Sequence, residues 1–259
     1  MISILHIGDI VGSPGRRIFS QLVMHLRQNG KADVVIVNGE NAAAGRGITP
    51  ALAEELFDAG ADVITLGDHT WDQKTLAPFL DREPRIVRPA NFSDECPGKG
   101  WAKVETPTGP VTVISLIGRV FMPPAQCPFG TVDRILNELH DGGIIMVDFH
   151  AEATSEKIAM GRYLDGRVTC MAGTHTHVQT SDEALLPKGT AYITDIGMTG
   201  PKDSVLGREV SPVLHRFLTG MPARFEVATE DVAMEGIRLR VNPHTGRAKS
   251  IHRFREKLT

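Results

Sequence analysis

The sequence predicts an α/β fold built around mostly parallel strands, and three features of its patterning predict it. Short continuous apolar runs alternate with stretches of helical period. Turn-forming residues close each apolar run. Paired β-runs without an intervening helix occur only near the C-terminus. In chain order, residues 2–7 read as a buried strand, and residues 15–29 as a helix opened by Pro14. Residues 33–37 form a second strand, and residues 50–59 a helix with Thr49 as N-cap. A third strand over 62–66 and a short helix over 73–81 complete the strand–helix rhythm that implies βαβ units. The Pro/Gly-punctuated segment 91–110 reads as a surface excursion. Beyond it, strands are expected over 111–116, 144–149, 168–172 and 190–193, with helices over 131–140 and 155–164. Residues 232–241 and 247–254, joined across 242–246, read as an antiparallel hairpin.

Composition bounds the function classes. Hydrophobic residues make up 41% and charged residues 23%, values of a soluble globular chain. At 259 residues, such a chain buries roughly 70–75% of its unfolded surface and needs no disulfide staple. Lys plus Arg (28) against Asp plus Glu (31) leaves a formal charge of −3, so no general basic coat for nucleic acid or membrane is present. Cys96, Cys127 and Cys170 form no CxxC pair, which suits a reducing compartment. The N-terminus lacks a basic n-region, and no apolar run approaches the ~20 residues of a membrane span. These features predict a cytoplasmic protein without membrane or stable nucleic-acid partners. Homo-oligomerisation is compatible with them. No linker divides the chain, so a single domain over 1–259 is expected.

The chemistry collects just after the strands. Gly8-Asp9 follows the first, Asn38-Gly39-Glu40-Asn41 the second and Gly67-Asp68-His69 the third. Later runs end in Asp148-Phe149-His150 and Gly173-Thr174-His175-Thr176-His177. The C-terminal ends of parallel strands share one edge, where ligands bind. His175 and His177, two apart in an extended segment, can reach one site. Carboxylates gathered without cations repel one another, and gathered imidazoles lose basicity; a metal removes both penalties. A carboxylate–imidazole set without thiolate favours iron, manganese or zinc, and the number of ligands exceeds what one tetrahedral ion uses. Two ions are therefore expected, an arrangement suited to clamping a phosphoryl group.

The ordered series Gly8-Asp9, Gly39-Glu40-Asn41, Gly67-Asp68-His69, His150 and Gly173 to His177 resembles the calcineurin-like metallophosphoesterase superfamily. More narrowly it resembles the bacterial YmdB-like phosphodiesterases that act on 2′,3′-cyclic nucleotides. The narrower likeness rests also on Asp9-Ile10-Val11-Gly12, Asp68-His69-Thr70-Trp71-Asp72 and Arg88-Pro89-Ala90-Asn91. The segments 194–201 and 217–222 add to it, and the match runs over essentially the whole chain. Val11 stands where the superfamily has the His of Asp-x-His, Glu40 where it has a bridging Asp, and Asp68 where it has Asn.

The resemblance implies a four-layer αββα sandwich of two mixed β-sheets flanked by helices. It also implies two transition metals, iron first with manganese or zinc as alternatives. One would be held by Asp9, Glu40, Asn41 and His177, the other by Glu40, Asp68, His150 and His175, with Glu40 bridging. A bridging hydroxide would attack phosphorus, and His69 would act as general acid on the leaving 2′ oxygen, yielding a 3′-nucleotide. Four of the ten histidines are thus assigned; His6, His25, His140, His215, His244 and His252 remain ordinary. Asn91 is either a phosphate contact or a loop-stabilising residue, and Thr70, Thr174 and residues 197–200 are candidates for framing the opening. Phe149 and Trp71 are either base-stacking or core residues. Phosphomonoesterase or nuclease chemistry is the alternative within the superfamily. Outside it stand a regulatory metal-bound scaffold and a Rossmann-type nucleotide module. Gly8, Gly12 and Gly15 invite the module, although their spacing is not G-x-G-x-x-G.

Overall fold

The computed structural model describes residues 1–139 and 143–258. Strand β1 (Ile2–Ile7) is buried at every position and continues through Gly8 into the two-residue β2 (Asp9–Ile10). Helix α1 (Gly12–Gln28) starts before the predicted residue 15, because Gly12 takes φ +59° and turns the chain directly out of β2. Next come β3 (Val34–Asn38), α2 (Pro50–Asp58) and β4 (Val63–Thr65). The Thr49 hydroxyl accepts the Leu52 N–H at 3.4 Å, with Pro50 in the first turn.

The helix predicted over 73–81 shrinks to α3 (Ala77–Leu80). The Gln73 amide instead donates to the Arg46 carbonyl at 2.9 Å, tying that segment to a neighbouring loop. After β5 (Ile86–Val87), the supposed surface excursion contains β6 (Trp101–Val104), paired antiparallel with β7 (Val111–Ile117). Being only partly buried, β6 has no apolar run to advertise it.

The remaining elements are α4 (Pro128–Glu138), β8 (Ile144–His150), α5 (Thr154–Leu164), β9 (Cys170–Thr174), β10 (Ala184–Leu185), β11 (Ala191–Ile193) and β12 (Met198–Pro201). They are followed by α6 (Val210–Thr219) and the hairpin β13 (Val232–Val241) and β14 (Ala248–Lys257). The predicted end of the fourth helix at His140 lies outside the described residues.

Strand alternation alone suggests a doubly wound sheet, but the strands divide between two mixed sheets. The first has eight strands, ordered β2-β12-β13-β1-β3-β4-β5 with β14 on β13; the second has six, ordered β10-β11-β9-β8-β7-β6. β1 is parallel to β3 but antiparallel to β13, in register from Ile2↔Val241 to Ile7↔Gly236. The C-terminal hairpin is thus laid against the first strand of the chain.

The sheets pack face to face through Ile4, Ile36, Val113, Met146, Ile193 and Leu239. Helices α1 and α2 cover the outer face of the first sheet through Ile18, Phe19 and Leu56, which meet Leu5 and Val37. Helices α4 and α5 cover the second through Ile135 and Met160, against Val147 and Met171. The result is a four-layer αββα sandwich.

The early glycines serve this packing and form no phosphate loop. A Cβ on Gly8 would overlap the Gly197 carbonyl, and one on Gly15 the Thr199 carbonyl. Gly8→Ala should therefore push β12 away from β2 and cost at least about 3 kcal/mol, measured by urea unfolding at unchanged m-value.

Candidate metal centre

Both sheets deliver chemistry to one place. Parallel strands β1, β3 and β4 lead into Asp9, Glu40-Asn41 and Asp68-His69; parallel strands β8 and β9 end at His150 and just before His175. The fold thus brings C-terminal strand ends from two sheets to a common edge. At Gly67 a Cβ would overlap the His150 ring, so only glycine lets β4 approach β8 this closely.

Glu40, Asp68, His150 and His175 each place a donor atom within 4.8 Å of the others. His150 Nε2 lies 3.0 Å from Glu40 Oε1, from Asp68 Oδ1 and from His175 Nδ1. One ring proton cannot serve three acceptors at once, whereas a cation between them could satisfy all four side chains. Beside this group, His177 Nε2 is 3.7 Å from Asp9 Oδ1 and 3.2 Å from the Asn41 amide nitrogen. That amide nitrogen is also 3.2 Å from Glu40 Oε1. Glu40 therefore touches both groups.

Burial raises the Asp9 carboxyl well above the usual carboxylate range, with Glu40 and other nearby acids adding to the effect. Burial disfavours a charged His150, yet the carboxylates of Glu40, Asp68 and Asp9 outweigh it and hold its pKa well above that of free imidazole. Burial likewise opposes ionisation of Asp68, but hydrogen bonds from His150 and His175 keep it far below its ordinary value. Burial pushes His177 down to about 4, leaving a neutral ring able to coordinate. Metal binding at this cluster would release protons that the raised pKa values of Asp9 and His150 favour. The donor set fits a metal.

His69 stands at the rim. Its backbone N–H donates to Glu40 Oε2 at 3.0 Å, and its Nδ1 is 3.0 Å from Asp72 Oδ2. Other predicted residues are placed elsewhere. Asn91 is wholly buried and directs its amide to the backbone of Ile117 and Gln126. The Thr70 hydroxyl donates to the Gly67 carbonyl at 2.6 Å, and residues 197–200 are buried, so neither frames an opening. Phe149 is in the core, and Trp71 packs against Phe92 at 5.9 Å between ring centroids.

Three supporting contacts escaped the sequence reading. The Thr174 hydroxyl links His150 Nδ1 (2.9 Å) to Asp148 Oδ1 (2.6 Å), which fixes the ring so that Nε2 faces the cluster. Glu152 Oε2 lies 3.1 Å from His175 Nε2 and orients that ring in the same way. Asp195 accepts from the Thr176 backbone (3.1 Å) and hydroxyl (2.7 Å) and pairs with fully buried Lys157 at 2.7 Å. Asp148, Glu152, Thr174 and Thr176 lie within two residues of the predicted ligands and so could have been signalled by position, whereas Lys157 and Asp195 could not.

A cavity of about 400 Å³ opens onto Glu40, Asn41, His69, His175 and His177, and its far side is apolar. That volume suits a small ligand. Among the described residues, no helix is long and apolar enough to cross a membrane.

The profile of the YmdB-like protein family matches residues 5–254. A Bacillus subtilis (strain 168) protein named 2′,3′-cyclic-nucleotide 2′-phosphodiesterase is 47% identical over 252 residues, covering 97% of this chain and 96% of that one. The crystal structure of a phosphatase from Mycoplasma pneumoniae superposes with a TM-score of 0.93 at 34% identity, covering 98% and 93% of the two chains. A 5′-nucleotidase precursor from Thermus thermophilus shares the fold alone, with a TM-score of 0.63 at 13% identity over 98% of this chain and 54% of that one. Matched along nearly its whole length, the chain belongs to the YmdB-like family.

Proposed function

We propose that this chain is a metal-dependent phosphodiesterase that hydrolyses 2′,3′-cyclic nucleotides to 3′-nucleotides. The observation that carries the reading is Glu40, whose carboxylate meets the Asp68–His150–His175 group and the Asp9–Asn41–His177 group while accepting the His69 N–H. In this reading Asp9, Glu40, Asn41 and His177 hold one transition metal. Glu40, Asp68, His150 and His175 hold a second, and the Asn41 side-chain amide, turned so that Oδ1 takes the place of Nδ2 beside His177 and Glu40, supplies a neutral ligand. Iron is the first candidate and manganese or zinc the alternatives, since the donors are carboxylate, imidazole and amide. When bound, the metals supply positive charge that polarises the phosphoryl group and makes hydroxide available near neutral pH. That charge also explains how a chain of net charge −3 can attract a phosphate.

His69 handles the proton. Asp72 accepts a hydrogen bond from Nδ1–H, which orients the ring and leaves Nε2 on the side of Asp68, 3.9 Å from its Oδ2. As the oxygen derived from water bonds to phosphorus, the bond from phosphorus to the 2′ oxygen breaks. Nε2 delivers its proton to that oxygen, and solvent reprotonates the ring. Ligands running from Asp9 to His177 across two sheets support one domain over 1–259. The free thiols of Cys96, Cys127 and Cys170 support a cytoplasmic setting.

The test is turnover by metal-loaded protein of 2′,3′-cyclic AMP, 3′,5′-cyclic AMP, bis-p-nitrophenyl phosphate and a phosphomonoester. Formation of 3′-AMP from the first, at the highest kcat/KM of the set, is expected. Preference for the monoester would reassign the protein as a phosphatase. Thr174→Val should weaken metal binding about 10–100-fold, read by chelator competition. Its effect on folding should be smaller, because Asn38 and Thr65 still donate to Asp148.

A further inference from the structure

The cavity at the metal-ligand cluster has a second half built from apolar side chains. Val213 and Phe217 sit one turn apart on α6 and both line it, joined by Leu206 and Phe225. Phe217 is 82% exposed, although a phenyl ring of that size ordinarily goes to the core. The wall that carries it is anchored. The Arg208 guanidinium, just before α6, donates to the Ala44 carbonyl at 2.9 Å and the Gly45 carbonyl at 2.6 Å. Arg216 lies 5.5 Å from the centre of the Phe225 ring, a cation–π contact that braces it.

We propose that this half is a nucleobase subsite, in which Phe217 and Phe225 receive the base of a nucleotide whose phosphodiester lies at Glu40 and His69. The inference rests on the phosphodiesterase reading and extends it to substrate choice. Continuity decides the occupant: His69, His177, Phe217 and Phe225 line one cavity of about 400 Å³. A ligand held by its phosphate at one end must therefore lay its remainder along the other. The aromatic wall offers π-faces, and the neighbouring Arg208 donors are engaged by the Ala44 and Gly45 carbonyls, so the wall grips any base by stacking and favours the larger purines. Leu214 and Leu218, about 100° further round α6, are not part of the cavity lining and take no part.

The test compares kcat/KM for 2′,3′-cyclic AMP with that for glycerol 1,2-cyclic phosphate, which carries a five-membered cyclic diester but no base. Wild-type protein should prefer the nucleotide. In Phe217→Ala and in Phe225→Ala the ratio should fall on the order of 10-fold, chiefly through KM for the nucleotide. Phe217→Trp should restore it. An unchanged ratio, or equal losses on both diesters, would overturn the subsite. So would sedimentation showing that Phe217→Ala dissociates a dimer while the ratio stays constant, which would assign this face to a second copy of the chain. Equal kcat/KM for both diesters in wild type overturns the subsite and leaves the phosphodiesterase reading standing. Hydrolysis of neither overturns both.

Discussion

Glu40→Gln should lower turnover of 2′,3′-cyclic AMP by about a thousandfold or more, a loss as large as removal of a principal charge-stabilising group. The glutamine keeps the shape and can still accept the His69 N–H, so circular dichroism should be native. What disappears is the negative charge that touches both ligand groups. Metal content per chain should fall, and the rise in Tm on adding metal should vanish, because that rise is binding energy linked to folding. Undiminished turnover in this variant would remove Glu40 from the mechanism.

Lys157→Met should be the most damaging substitution remote from the cavity. Lys157 and Asp195 are both fully buried, and removing the ammonium leaves an uncompensated carboxylate in the interior. A cost of about 3–5 kcal/mol is expected, lowering Tm by roughly 10 °C. The damage should also reach the metal centre. His175 and His177 hold left-handed backbone conformations, φ 97° and 63°, that non-glycine residues adopt at a cost. Between them, Thr176 is pinned to Asp195 by its N–H and its hydroxyl. Amide hydrogen exchange should therefore accelerate at Thr176 and its neighbours in the variant, and metal affinity should fall with it. The double variant Lys157→Met/Asp195→Asn should be less destabilised than Lys157→Met alone, since it abandons no charge.

The positions of the site residues were legible because strand ends are legible. The run from Ile2 to Ile7 is the observed β1, and each apolar run announces where its last residue must emerge. The hairpin beginning with β13 could also be read, but its place beside β1 could not: antiparallel pairing of residue 2 with residue 241 leaves no local trace. This is why the alternation suggested one doubly wound sheet when the strands form two. Helix α6 was missed although Val210, Val213, Leu214, Phe217 and Leu218 recur at helical spacing; most of that stripe is exposed and only Val213 is buried. Asn91 could be read in sequence either as a phosphate contact or as a loop-stabilising residue; in place, it satisfies buried backbone. Of the glycines that invited a nucleotide-binding module, Gly8 and Gly15 are explained by carbonyls packed against them, and Gly12 by its positive φ beside the Val227 side chain. The supporting pair Lys157 and Asp195 lies 38 residues apart in sequence and could be seen only in space.

Strand β14 has a consequence for how copies of the chain behave at high concentration. Among the described residues it pairs with β13 alone, so its outer backbone groups form an open sheet edge, the kind of surface on which a second molecule can add a strand and seed fibrils. Lys249, Arg253, Arg255 and Lys257 are all exposed along it. Arg253, Arg255 and Lys257 pair with Glu183, Glu235 and Asp231, so a second copy adding a strand here would have to bury charged side chains and their partners. The chain can therefore carry a ten-residue unprotected strand, because its own charges act as gatekeepers against aggregation.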